Sequence, residues 1–151
     1  MKEEHVVRRA CKEDIGDIIN IEDKSFNSDG FSRSQFIYLV TRSKGVFYVA
    51  VTDSKVTGYI CLLLHSKRKN IRIYSIAILP EYRGRGIAGM LISKAKEFAR
   101  NEKKSGVSLE VRTDNMLAIQ LYEKNGFRTL FTKKQYYHDL TDAFFMHFLF
   151  D

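Results

Sequence analysis

The stretch from Ile71 to Arg100 constrains the fold more than any other part of the chain. An apolar run rich in β-branched and aromatic residues, Ile71 to Leu79, reads as a central strand buried on both faces. Pro80 ends its ladder, because proline has no N–H to donate. Arg83-Gly84-Arg85-Gly86-Ile87-Ala88-Gly89 then leads into a helix on which Ile87, Leu91, Ala95 and Phe98 recur along one face. A strand, a glycine-rich turn and a helix in succession build an anion site. The first N–H groups of the helix lack partners, the helix dipole favours negative charge, and glycine lets a phosphate approach the backbone.

Gly84-x-Gly86-x-x-Gly89, with Glu110 about twenty residues on, also satisfies the dinucleotide-binding fingerprint literally. In that fold the first glycine follows its strand almost directly. Here Pro80, Glu81, Tyr82 and Arg83 intervene, and too little chain follows Glu110 for the other half of a doubly wound sheet. The dinucleotide reading is therefore set aside.

With 151 residues, 44% of them hydrophobic, the chain suits one compact domain, 1–151, with a core of its own. No apolar run approaches the ~20 residues of a membrane-spanning helix. The N-terminal stretch lacks the apolar segment of a secretory signal, so a cytoplasmic location is expected. Cys11 and Cys61 have no metal-type spacing and read as reduced bystanders. His5, His65, His138 and His147 form no ligand pattern either, and no metal is expected. The net charge of +7, from 25 Lys and Arg against 18 Asp and Glu, favours an acidic partner: nucleic acid, a phosphorylated cofactor or acidic peptides. For most of these lysines a solvated basic surface is the better reading.

Taken in order, His5 to Arg9 is a strand and Lys12 to Lys24 a helix. Asn27 to Gly30 forms a turn, and Ser32 is placed to cap a second helix. Val46–Val51 and Val56–Leu64 make a hairpin through Thr52 to Lys55. Lys67 to Asn70 turns into the central strand. After the long helix come a strand, Val107–Arg112, and a short helix capped by Asp114 or Asn115, with Leu117, Ala118, Leu121 and Tyr122 facing inward. Asn125-Gly126 closes that helix. Phe127–Phe131 and Ala143–Phe150 are the closing strands. The order β-α-α-β-β-β-α-β-α-β-β implies an α/β (α+β) fold with a mixed sheet: antiparallel hairpins first, then a parallel pair joined by the helix after Gly86.

On these residues the chain resembles the GNAT superfamily of acyl-CoA-dependent N-acyltransferases, over nearly its whole length. Arg83-Gly84-Arg85-Gly86-Ile87-Ala88 fits that superfamily's Q/R-x-x-G-x-G/A signature. Within it the chain is most similar to protein N-terminal acetyltransferases of the RimI kind and the NatA catalytic-subunit group. Leu109 to Arg112, Asn115, Ala118-Ile119, Leu121 to Glu123, Gly126-Phe127, Tyr136-Tyr137 with Asp142-Ala143 and Met146, and Ile21-Glu22 with Ser25-Phe26 carry that likeness. In one place the chain departs from it. The subfamily has a tryptophan in the loop after the Ser-Phe pair, whereas this chain has Gly30-Phe31 and no tryptophan.

The resemblance implies a mostly antiparallel sheet flanked by helices, with acetyl-CoA between the central strand and the strand of Glu110. It implies that the backbone of Ile76, Ala77 and Ile78 pairs with the pantetheine arm, an N–H near Ile78 polarising the thioester. The residues from Arg83 through Gly84, Arg85, Gly86, Ile87 and Ala88 to Gly89 would hold the pyrophosphate. By itself the RGRG tetrapeptide also suits a nucleic-acid patch, but its place between strand and helix favours pyrophosphate. Glu110 is either an outward-facing edge residue or, as the resemblance implies, the general base for the attacking amine. Tyr122 either packs in the core or, by the same likeness, protonates the departing thiolate and touches the cofactor. Asn115 caps its helix, contacts the cofactor, or both. Of Tyr136 and Tyr137, one is expected to pack and the other to face a peptide cleft bordered also by Phe31.

The leading function is therefore acetyl transfer from acetyl-CoA to protein or peptide N-termini, ribosomal proteins among them, with no membrane partner and nucleic acid disfavoured. A second reading is acetylation of a small amine or a lysine side chain. A third, of another class, is a module that senses acyl-CoA or docks nucleic acid.

Overall fold

The computed structural model describes residues 3–26, 30–42 and 44–151, and of residues 30–32 the backbone alone. The elements run β1 (His5–Arg9), α1 (Ile15–Ser25), α2 (Gly30–Thr41), β2 (Val46–Thr52), β3 (Lys55–Leu63), β4 (Asn70–Ile78), α3 (Ile87–Asn101), β5 (Gly106–Arg112), α4 (Met116–Lys124), β6 (Arg128–Lys133) and β7 (Ala143–Leu149). Single 3-10 turns at Lys12–Asp14 and Pro80–Tyr82 lead into α1 and toward α3.

Among the described residues seven strands form one sheet in the order β1-β2-β3-β4-β5-β7-β6. Every neighbouring pair is antiparallel except β4 with β5. The expected mixed sheet and its parallel pair are thus present, and β4 lies at its centre. The β2–β3 hairpin closes through Asp53 and Ser54, whose φ values of 47° and 71° are those of a two-residue type I′ turn.

Two apolar layers sandwich the sheet. On one face α3 buries Ile87, Leu91, Ile92, Ala95 and Ala99 against β3, β4 and β5, and α4 adds Ile119 and Tyr122. On the other face α1 and α2 bury Ile18, Ile21, Phe36 and Leu39 against Phe47, Val49 and Tyr59. The residues of β4 reach both layers, but their alternation breaks once. Cys61 of β3 faces Ser75, whereas the next residue, Leu62, faces Ile73, so Tyr74 is an extra residue on β4. Ile71 and Ile73 before this bulge, and Ile76 and Ile78 after it, all belong to the α3 layer; Tyr74, Ala77 and Leu79 belong to the other.

Three details differ from the sequence reading. Lys12 to Asp14 form a 3-10 turn rather than the start of α1. Ser32 does not cap α2, which already begins at Gly30; the turn before it, Asn27 to Asp29, lies outside the described residues. Leu117 is 83% exposed, and Ile119 takes the inward place assigned to it. Because Asn115 sets the start of α4, Ala118 and Ile119, three and four positions further on, face the sheet, and Leu117, only two positions on, falls outside that face.

Gly106 places β5 against β7. A side chain there would fall on the Phe148 carbonyl oxygen and within 3.0 Å of Leu149 Cα, both backbone atoms of the paired strand. Gly106→Ala is therefore expected to destabilise the protein by at least about 2 kcal/mol, within the range for strained core substitutions. Urea unfolding of the two proteins measures it; an unchanged midpoint would show that β7 yields freely.

Candidate active site

The central feature is a parting of strands. β4 and β5 pair only at Asn70 with Gly106, Ile71 with Val107 and Arg72 with Ser108. Beyond these residues the ladder stops, and among the described residues Ile73–Ile78 has no strand partner on the β5 side. In an antiparallel ladder, successive residues present their polar groups to opposite neighbours. Leu79 N–H donates to Thr57 O at 2.8 Å, toward β3, so the N–H of Ile78 points the other way, into the slot between β4 and β5. The Ile78 carbonyl is already taken by Arg83 Nε, at 3.1 Å.

At the far end of the slot the glycine-rich turn opens α3. Gly84 and Gly86 have φ values of 77° and 82°, a left-handed backbone that side chains disfavour, and Gly86 is the N-cap. Met90 N–H bonds to Gly86 O at 3.2 Å. The amides of Ile87, Ala88 and Gly89 precede that first helical bond and have no carbonyl to reach within the helix. A Cβ on Gly84 or Gly86 would meet nothing within 4 Å, so the space in front of the turn is open. Arg85 folds back, ion-paired with Glu3, bonded to Glu81 O at 2.8 Å and lying 5.0 Å from the Tyr82 ring centre.

Glu110 sits two residues beyond Ser108, where the strands separate. Its side chain is 8% exposed and its strand lies inside the sheet, which rules out the edge reading. Arg72 Nε donates to one carboxylate oxygen at 2.9 Å and Lys133 Nζ to the other at 2.6 Å. The Arg72 guanidinium also donates to the Tyr136 hydroxyl at 2.9 Å. Tyr136 and Tyr137 meet edge to face, with ring centres 5.0 Å apart. Tyr136 is exposed and Tyr137 is half-buried. Burial pushes the Tyr137 hydroxyl up to about 12, and the neighbouring Tyr136 and Glu110 add to the rise.

Tyr122, on α4, is buried against Phe127, with ring centres 5.9 Å apart. Burial raises its pKa well above the ordinary phenol value, and Tyr137 adds to this. Asn115 is accounted for as a cap: its side chain accepts from Ala118 N–H at 3.2 Å. The side chain of Phe31 lies outside the described residues.

Sequence reading missed Arg72 and Lys133, the two cations that hold Glu110. A signal existed for the first. Arg72 is a lone charge in the apolar stretch of β4, and β5 carries a single carboxylate, Glu110, in the same way. Lys133 belongs to β6, which reaches β5 only through β7, and no local pattern announces that approach.

An interior sheet with two parting parallel strands, a glycine-rich turn and a helix start at the end of the gap defines an acyl-CoA-binding transferase fold. The chain matches the Acetyltransferase (GNAT) family over residues 13–127 and belongs to it. It is 32% identical over 151 aligned residues to an N-alpha-acetyltransferase of Saccharolobus solfataricus, covering 93% of this chain and 90% of that one. A chain of the NatC complex, solved bound to Gag peptide and CoA, superposes with a TM-score of 0.82 at 25% identity, covering 98% of this chain and 99% of that chain. The ribosomal-protein-S18-alanine N-acetyltransferase of Escherichia coli shares the fold, with a TM-score of 0.80 at 20% identity and coverage of 97% and 94%.

Gly86→Ala tests the turn. The left-handed backbone makes the substitution cost about 1–2 kcal/mol of stability, which a folded protein can bear. The added methyl projects into the open space before the helix, so CoA affinity is expected to fall about tenfold or more, a change of about 1.4 kcal/mol. Calorimetric titration reads it, and wild-type affinity in the folded variant would contradict the assignment.

Proposed function

We propose that residues 1–151 form one N-acetyltransferase domain that moves acetyl from acetyl-CoA to the N-terminal α-amine of proteins. The observation that carries this reading is the slot between β4 and β5, open along Ile76 to Ile78, with Glu110 at its root and the α3 amides at its mouth. The named relatives agree with it: one is an N-alpha-acetyltransferase, and one was solved with a peptide and CoA. The likeness to the S18-alanine enzyme makes ribosomal proteins a natural set of acceptors to test.

The residues suit acetyl-CoA. The amides of Ile87 to Gly89, with Gly84 and Gly86 leaving room, receive the pyrophosphate. The edge of β4 at Ile76, Ala77 and Ile78 pairs with the extended pantetheine arm as an added strand would. The Ile78 N–H, aimed into the slot, donates to the thioester carbonyl oxygen as negative charge grows there. Glu110, with each oxygen already holding a cation, takes the ammonium proton through a water. The neutral amine attacks the thioester carbon, the carbon–sulfur bond breaks, and Tyr122 returns a proton to the sulfur. Its raised pKa makes it a weak acid, so the proton moves only as the thiolate forms. Arg72, Tyr136 and Tyr137 border the acceptor cleft.

An α-amine with a pKa near 7.8 costs about 1 kcal/mol to deprotonate at pH 7, while a lysine at 10.4 costs about 4.6 kcal/mol. A single clamped carboxylate suits the first better. A peptide with a free N-terminus and an internal lysine, analysed by mass spectrometry, should gain acetyl at the N-terminus only. Accumulation on the lysine, at a rate indifferent to blocking the N-terminus, would sink the assignment. Glu110→Gln should lower kcat about a hundredfold at neutral pH and recover as pH rises, because solvent then deprotonates the amine. Tyr122→Phe should lose rate without such recovery. A wild-type pH profile in Glu110→Gln would return Glu110 to a purely structural part.

A further inference from the structure

The mechanism leaves the buried carboxyl of Glu22 unused. Glu22 projects from α1 into the apolar layer beneath the sheet and is 6% exposed. The Tyr59 hydroxyl, itself fully buried, donates to one of its carboxylate oxygens. Ser75 Oγ lies 2.7 Å from the Tyr59 hydroxyl and donates to the same carboxylate oxygen at 3.4 Å. Burial raises the pKa of Glu22, and the bonds from Tyr59 and Ser75 pull it back. The surroundings are apolar: Phe36 and Phe47 pack on the Tyr59 ring with centres 5.4 Å and 6.3 Å away. A purely packing role would be met better by an apolar side chain, because burying a carboxyl is costly.

What this triad touches is the bulge of β4. Tyr74 is the extra residue, and Ser75 is the first residue after it. Without the bulge the parity of β4 would not switch. Ile76 and Ile78 would face α1 and α2, Ala77 would face α3, and every amide facing the slot would turn toward β3. A bulge has no ladder bond of its own to fix its place, so side chains must do so. Here the fixing groups come from two other elements, α1 and β3, and converge on Ser75.

We propose that Glu22 is a positioning residue of the transferase: through Tyr59 and Ser75 it pins the β4 bulge and so sets which backbone amides face the acyl-CoA slot. The role rests on the reading of that slot as the acetyl-CoA site. It requires a hydrogen-bond acceptor at Glu22, not a proton carrier. An amide should therefore replace the carboxylate, and an aliphatic chain should not.

The test uses the whole protein in three variants, Glu22→Leu, Glu22→Gln and Ser75→Ala, with two readouts that need no acceptor amine. In Glu22→Leu and Ser75→Ala, hydrogen exchange of the amides from Tyr74 to Ile78 should speed up while those of β5 stay as in the wild type. CoA affinity, by calorimetry, should fall about tenfold. Misplacement by about 1 Å can cost on the order of a hundredfold in rate, so kcat should fall with the peptide KM little changed. Glu22→Gln should match the wild type in exchange, in affinity and in its pH–rate profile. Wild-type exchange and affinity in folded Glu22→Leu would overturn the proposal, as would a Gln variant as impaired as Leu. If Glu22→Leu does not fold, Ser75→Ala decides, since it removes only the contact at the bulge. A failure to acetylate peptides would leave exchange and CoA binding readable, so the two ideas fail separately.

Discussion

Two parallel strands that begin as hydrogen-bonded neighbours and then part create an unusual demand inside a sheet. Interior backbone groups are nearly always paired, because an unpaired one forfeits the free energy of a hydrogen bond. Beyond Arg72 and Ser108 the facing edges of β4 and β5 leave that rule unmet. The rest of the molecule holds the parting open. α3 packs across β3, β4 and β5 from one face, burying Leu91 and Ala95 in the layer beneath them. On the other face α1 fills against β3 and β4. An extended chain entering the gap would complete the sheet, which is the physical reason for proposing the pantetheine arm there.

Charge divides the slot into two ends with different tasks. At the mouth, unpaired amides and the α3 dipole present positive potential without a buried cation of their own. At the root, Glu110 is the negative centre, and Arg72 and Lys133 hold it in place while leaving one net positive charge among the three groups. Both cations are partly exposed, so they orient the carboxylate more than they stabilise the fold. Tyr136 extends this set outward through Arg72.

Much of this was written locally in the chain. The apolar run of β4, Pro80 and the glycine-rich turn read directly as strand, stop and helix start, because each rests on backbone chemistry within a few residues. The mixed sheet followed from the order of elements. Glu110, Tyr122, Tyr136 and Tyr137 came from likeness to a family, since no spacing alone distinguishes a base from a surface carboxylate. What escaped was non-local. Lys133 meets Glu110 across an intervening strand, and Glu22, Tyr59 and Ser75 meet from α1, β3 and β4. The bulge at Tyr74 escaped for another reason: an apolar run with residues on both faces hides a change of parity. Leu117 was misplaced because the phase of a short helix depends on its capping residue, and two candidates stood side by side.

The central claim is that acyl-CoA completes the sheet between β4 and β5. Amide resonances of the labelled protein, followed during titration with CoA alone, test it without any acceptor or turnover. The account predicts that the amides of Ile76 and Ile78 and those from Gly84 to Gly89 move together, with a single dissociation constant, while those of the β2–β3 hairpin stay still. Shifts confined to exposed lysines and arginines, with Ile76, Ile78 and the glycine-rich turn unmoved, would contradict it.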